Sequence, residues 1–161
     1  SNGLHTNGYS LARKVIFKRA GLKIDDRLPG TTRRVSDILL AVHRSYLKPV
    51  SALLETVPVR GMAHITGGGL VDNLPRILPG DTAASIDCGA WRRPPVFEFI
   101  RERGKIDPEE MYRVFNMGIG FVIAVRPRDA ERALQTLRAN RERPVICGRV
   151  QRGGQEVVLQ R

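Results

Sequence analysis

GMAHITGGGLVDNLPRILP, residues Gly61 to Pro79, carries the change of pattern on which the fold turns. A short apolar run ending at Ile65 reads as a strand over Arg60 to Ile65. Three consecutive glycines, Gly67 to Gly69, follow and open a helical stretch expected over Gly69 to Leu78. Pro75 removes one backbone donor, so that helix is expected to kink or to end early, near Asn73. A strand handing over to a helix through a glycine turn belongs to folds in which helices cover a sheet.

Upstream of this stretch the pattern is helical. Asn7 to Ala20 has a polar cap at Thr6 or Asn7, apolar Leu11, Val15, Ile16 and Ala20, and Gly21 as a stop. TTRRVSDILLAVHRSY, residues 31–46, reads as a second helix ending before Lys48 and Pro49, and VSALLETV, residues 50–57, as a short third. Downstream, Thr82 to Ile86 is expected as a strand. Pro94 and Pro95 precede the helix VFEFIRERG, closed by Gly104. Asp107, Pro108 and Glu110 supply a cap, a first-turn proline and a capping acid for a helix through about Val114. MGIGFVIAV, residues 117–125, is apolar on both faces, as a central buried strand would be, and RDAERALQTLRAN places Ala130, Ala133, Leu134 and Leu137 on one helical face. PVICGRV and EVVLQR read as strands about a turn at Gly153 and Gly154. The fold class is α/β or α+β, a mixed sheet covered by helices, with residues 1–161 expected to form one domain.

The 161 residues are 42% hydrophobic, enough for one continuous core. No run of eighteen apolar residues occurs, and SNGLHTNGYS has no cationic region followed by an apolar one, so neither a membrane span nor a secretory signal is read and a cytoplasmic protein is expected. Cys88 and Cys147 lie far apart without CxxC or CxxH company, which argues against a zinc site or a disulfide framework, and no metal ligands are assigned. The net charge of +11 invites a phosphate-rich partner. Arginines such as Arg33, Arg34, Arg92, Arg93, Arg101 and Arg103 are, however, spread in pairs, and no basic run is interleaved with aromatics. Nucleic acid is therefore not the expected partner; a small phosphorylated ligand suits the sign as well.

Three motifs carry chemistry. In MAHITGGGL a histidine, His64, ends a strand just before a turn whose residues lack Cβ atoms, so a titratable ring stands beside backbone N–H groups that an anion could approach. The structural alternative is a turn that needs glycine for its angles, with His64 packed and hydrogen-bonded. No GK[ST] follows, so this is not a phosphate loop of the Walker kind. In GLHTNGYSLAR, Gly3, Thr6, Asn7, Gly8 and Ser10 lead into a helix and present N–H groups and hydroxyls, either to an anion or as ordinary caps. In FNMGIGF, residues 115–121, two glycines interrupt an apolar strand, which marks a bulge or a close backbone approach.

Taken in order, SNGLHTNGYSLARKV, GMAHITGGGLVDNLPRILP and EEMYRVFNMGIGFVIAV resemble the characteristic segments of the C-terminal domain of the aminoimidazole ribonucleotide synthetase family, the phosphoribosylformylglycinamidine cyclo-ligases. The resemblance runs from the first residue to about Arg161. Related families that phosphorylate an oxygen or selenium atom with ATP tend to carry an acidic HDxSDGG-like segment where this chain has HITGGG, which favours the cyclo-ligase over its cousins. Where the family commonly reads LLxPTRIYV, this chain has LLAVHRSYL; Val42 and His43 replace Pro-Thr, while Arg44 and Tyr46 remain.

The resemblance implies an ATP-dependent ring closure of formylglycinamidine ribonucleotide to aminoimidazole ribonucleotide, a step of purine biosynthesis. It implies that ATP and Mg2+ are bound mostly by an N-terminal domain absent from this sequence, and that nothing is tightly held here. Further implied partners are that N-terminal domain and a second copy, giving a homodimer of the full-length enzyme. His64 is assigned to proton handling or oxyanion stabilisation. Thr66, Gly67, Gly68 and Gly69 are assigned to a cleft wall or an anion, and Gly3, His5, Thr6, Asn7 and Gly8 to the substrate or its phosphate. Arg44, Tyr46 and Asn116 are further candidates. The competing readings are formylglycinamidine ribonucleotide synthetase and a non-catalytic nucleotide- or nucleic-acid-binding module.

Overall fold

The computed structural model describes residues 3–5 and 7–160, and the chain forms two compact units. Thr6, one of the residues assigned to the substrate side, lies outside the described residues. The elements are α1 (Tyr9–Arg13), α2 (Val35–Leu39), α3 (Leu47–Thr56), α4 (Gly69–Asn73), α5 (Pro95–Gly104), α6 (Pro108–Val114) and α7 (Ala130–Ala139), with strands β1 (Gly61–His64), β2 (Thr82–Asp87), β3 (Phe121–Ala124), β4 (Gly148–Arg152) and β5 (Val157–Gln160). The mixture of helices with an antiparallel and a mixed sheet is the expected class.

The first unit comprises the chain up to His43, Ile65–Asn73 and Arg92–Gly120, and its regular elements are all helical. α1 widens into a π-helical segment, Lys14–Arg19, in which Ala20 N–H donates to the Val15 carbonyl five residues back. The widened turn still buries Ala12, Val15 and Ile16, the face expected from the apolar spacing. α5 packs against this segment. A Cβ at Gly104 would come within 3.0 Å of Val15 Cγ2, so glycine there permits the approach. Arg19 donates to the Gly104 carbonyl and satisfies an end-of-helix acceptor. Leu4, Ile16, Leu28, Phe97, Ile100, Met111, Phe115 and Met117 are almost wholly buried. Each such side chain is worth about 1.5–3 kcal/mol relative to exposure.

The expected helix over 31–46 is much shorter. α2 ends at Leu39, and the Tyr9 hydroxyl donates to the Leu39 carbonyl at 3.0 Å. Its start matches the sequence better, because the Asp37 carboxylate accepts the Arg34 N–H. Beyond it Leu40 is 73% and Val42 92% exposed, so a continued helix would have had no face to bury.

The second unit comprises Arg44–His64, Leu74–Trp91 and Phe121–Arg161. α3 begins earlier than expected, with Pro49 in its first turn, where the missing N–H costs no helical bond. It packs on α7 through Leu53, Val57 and Ala133, with Val59, Ile123, Val125 and Leu137 closing the cluster. The helix expected from Gly69 to Leu78 stops at Asn73, as Pro75 requires, and a 3-10 turn, Pro75–Ile77, follows.

Two strand expectations need correction. The strand expected over 117–125 is confined to β3, is half-buried, and among the described residues pairs only with β1, from Gly61↔Ala124 to His64↔Phe121. Met117 and Gly118, at φ 53° and 98°, cannot extend it. The two terminal strands do turn about Gly153 and Gly154, but β2 lies between them: β4 is antiparallel and β5 parallel to it. Gly153 N–H donates to Asp81 and Gln155 N–H to Thr82, tying the turn to the entry of β2. A Cβ at Gly148 would sit 2.1 Å from the Ser85 carbonyl oxygen, so the β2–β4 approach needs glycine there.

Candidate functional site

In the first unit the loop before α1, the glycine turn and the segment after α6 are knotted together by hydrogen bonds. The Thr66 hydroxyl donates to Asn7 Oδ1 at 3.2 Å. Asn116, 1% exposed, donates from Nδ2 to the Gly3 carbonyl at 2.6 Å and accepts the Gly118 N–H at 2.8 Å. Asn73 Nδ2 faces the carbonyls of Gly67 at 3.1 Å and Gly69 at 2.7 Å. Burial without these partners would cost about 1–3 kcal/mol per group, so both carboxamides fix the loops rather than decorate them. The structure thus gathers Gly3, His5, Asn7, Gly8, Thr66 to Gly69 and Asn116 in one unit.

Two of the glycines are dictated by packing. A Cβ at Gly8 would lie 2.4 Å from Phe115 Cε1, and one at Gly69 would lie 2.0 Å from the Tyr112 carbonyl oxygen, and both residues have positive φ. The α4 that follows has five residues.

His5 takes φ 46°, and its ring lies 4.9 Å from that of His43, centroid to centroid, at a tilt of 52°. Its Nε2 is buried with no hydrogen-bond partner among the described residues. Burial, and then the neighbouring His43, hold its pKa below the ordinary histidine value.

In the second unit His64 ends β1 on the exposed side of the strand, alternating with buried Ala63. Its ring stands 6.2 Å from Phe121, its cross-strand partner, and 6.3 Å from Tyr46, which is 5.3 Å from Phe121. Burial raises the Tyr46 phenol above its usual pKa, opposed by Arg44. Arg44 in turn binds Glu142, Nη2 to Oε1 at 2.9 Å, and donates to the Arg141 carbonyl. Glu142, Phe121, Asn73 and His43 were not singled out from sequence. Of these only Asn73, a carboxamide closing a very short helix beside three glycines, had a local signal. Among the described residues no three His, Cys, Asp or Glu side chains cluster as metal ligands, and no helix is long and apolar enough to cross a membrane.

The family described as AIR synthase related protein, C-terminal domain, matches residues 1–160. The chain belongs to this family. Among relatives named phosphoribosylformylglycinamidine cyclo-ligase, this chain is 46% identical to that of Bacillus licheniformis over 153 residues, which are 95% of this chain and 44% of the relative. It is 47% identical to that of Chromobacterium violaceum over 150 residues, 93% of this chain and 43% of the relative. The chain therefore spans less than half the length of these curated relatives.

Proposed function

We propose that this chain acts as the C-terminal half of a phosphoribosylformylglycinamidine cyclo-ligase. The match of almost the whole chain to proteins of that name supports the reading. In this reaction ATP activates the formyl oxygen of formylglycinamidine ribonucleotide, and an amidine nitrogen attacks the activated carbon to close the imidazole ring, giving aminoimidazole ribonucleotide, ADP and phosphate.

The donor set of this chain does not fit Mg2+-ATP, since Mg2+ wants several oxygen ligands and no carboxylate cluster stands among the described residues. ATP and Mg2+ are assigned to the other half of the enzyme. His64 is the proton-handling residue: an exposed imidazole at a strand end can take the proton that the attacking nitrogen loses and return it at cellular pH. Gly3, His5, Asn7, Gly8 and Thr66 to Gly69 are assigned to the substrate or its phosphate, with the Asn116 and Asn73 carboxamides holding their loops. Arg44 and Tyr46 act at one remove, Arg44 engaged by Glu142 and Tyr46 flanking His64. A cytoplasmic location and a homodimer of the complete enzyme accompany the proposal.

The test is complementation. The chain alone, supplied with ATP and formylglycinamidine ribonucleotide, should release no ADP. Fused behind the N-terminal part of the Bacillus licheniformis relative, it should support ring closure. Turnover by the chain alone, or a folded but inactive fusion, would overturn the assignment.

A further inference from the structure

The His5 and His43 rings meet within the first unit, and the inference drawn from them deepens the substrate-side role proposed for His5 and rests on that reading. The Ala41 carbonyl hydrogen-bonds the His5 ring, and since Nε2 has no partner among the described residues, that bond belongs to Nδ1–H. A backbone carbonyl on one ring nitrogen fixes the tautomer and leaves the other nitrogen with a lone pair, the arrangement that supports histidines binding metal ions. Here that nitrogen is buried and meets no donor among the described residues.

The ring separation suits a shared ion. Zn2+–N bonds are about 2.0–2.1 Å, and a ring nitrogen lies about 1.1 Å from its ring centre, so two imidazoles on one tetrahedral ion have centres about 5 Å apart. The observed value is 4.9 Å, with the planes tilted by 52°. We propose that His5 and His43 together bind one borderline divalent cation of the zinc, copper or nickel kind, its remaining positions open to water or ligand oxygens. Imidazole suits these ions and not Mg2+ or Ca2+.

The probe is Zn2+ alone. Calorimetric titration of the chain at neutral pH should show one saturable site, and Co2+ in its place should give the visible absorption of a four-coordinate ion. His43→Ala should weaken Zn2+ binding by more than about tenfold, since even the loss of a group that only supports a ligand costs that much. His43 is exposed, so this variant should keep the fold, as its melting curve would verify. His5→Gln should do the same to binding. His64→Ala, removing the third histidine, should leave it unchanged. Absence of saturable Zn2+ uptake, or uptake that survives His43→Ala, would overturn the proposal.

Discussion

Asn116 Nδ2 donates to the carbonyl of Gly3 across 113 residues of chain, at 2.6 Å. That bond, with the return bond from Gly118 N–H, anchors the loop before α1 to the segment after α6. Asn116→Ala removes both partners from a buried site and should destabilise the chain by about 2–3 kcal/mol, while Asn116→Asp should be no better, since a carboxylate cannot donate to Gly3. Chemical denaturation of the two variants measures this.

At Gly69 a methyl group has nowhere to go. Gly69→Ala should cost about 3 kcal/mol or more, because its Cβ would overlap the Tyr112 carbonyl and its φ is 57°. Gly80 meets nothing within 4 Å and has no positive φ, so Gly80→Ala should lie within about 1 kcal/mol of the parent. Thermal melts of the pair separate packing from the general effect of adding a side chain.

These interlocks mark the limit of what the sequence makes legible. Helix starts carried by local chemistry, such as Asp107 accepting the Glu109 N–H ahead of Pro108, could be placed from residue types alone. So could the early end of α4 before Pro75. The stretch 31–46 misled because its apolar residues repeat at helical spacing although Leu40 and Val42 have no core to enter. The insertion of β2 between β4 and β5 depends on long-range pairing, which no local turn signal encodes. The same holds for the site. The candidate glycines and, in the other unit, His64 stand out in sequence, but the tie of Thr66 to Asn7 and the pairing of His5 with His43 exist only once the chain is folded.

His5 should make stability sensitive to acid. Its folded pKa is lowered, first by burial and then by His43, so the unfolded chain binds the proton more readily. Its effect is absent above the unfolded value of about 6.5, and stability is lost as pH falls from there through the folded pKa. His5→Asn, which does not titrate, should flatten the pH dependence of the melting temperature in that window. An unchanged slope would place the acid sensitivity elsewhere.

The central claim rests on His64, and the most direct measurement is turnover of the fused two-domain enzyme carrying His64→Ala, read beside its melting temperature. Loss of a general acid or base predicts a fall of roughly 10²- to 10⁴-fold in kcat, with the melt barely moved because the ring is exposed on β1. A stable variant with nearly full turnover would contradict the account.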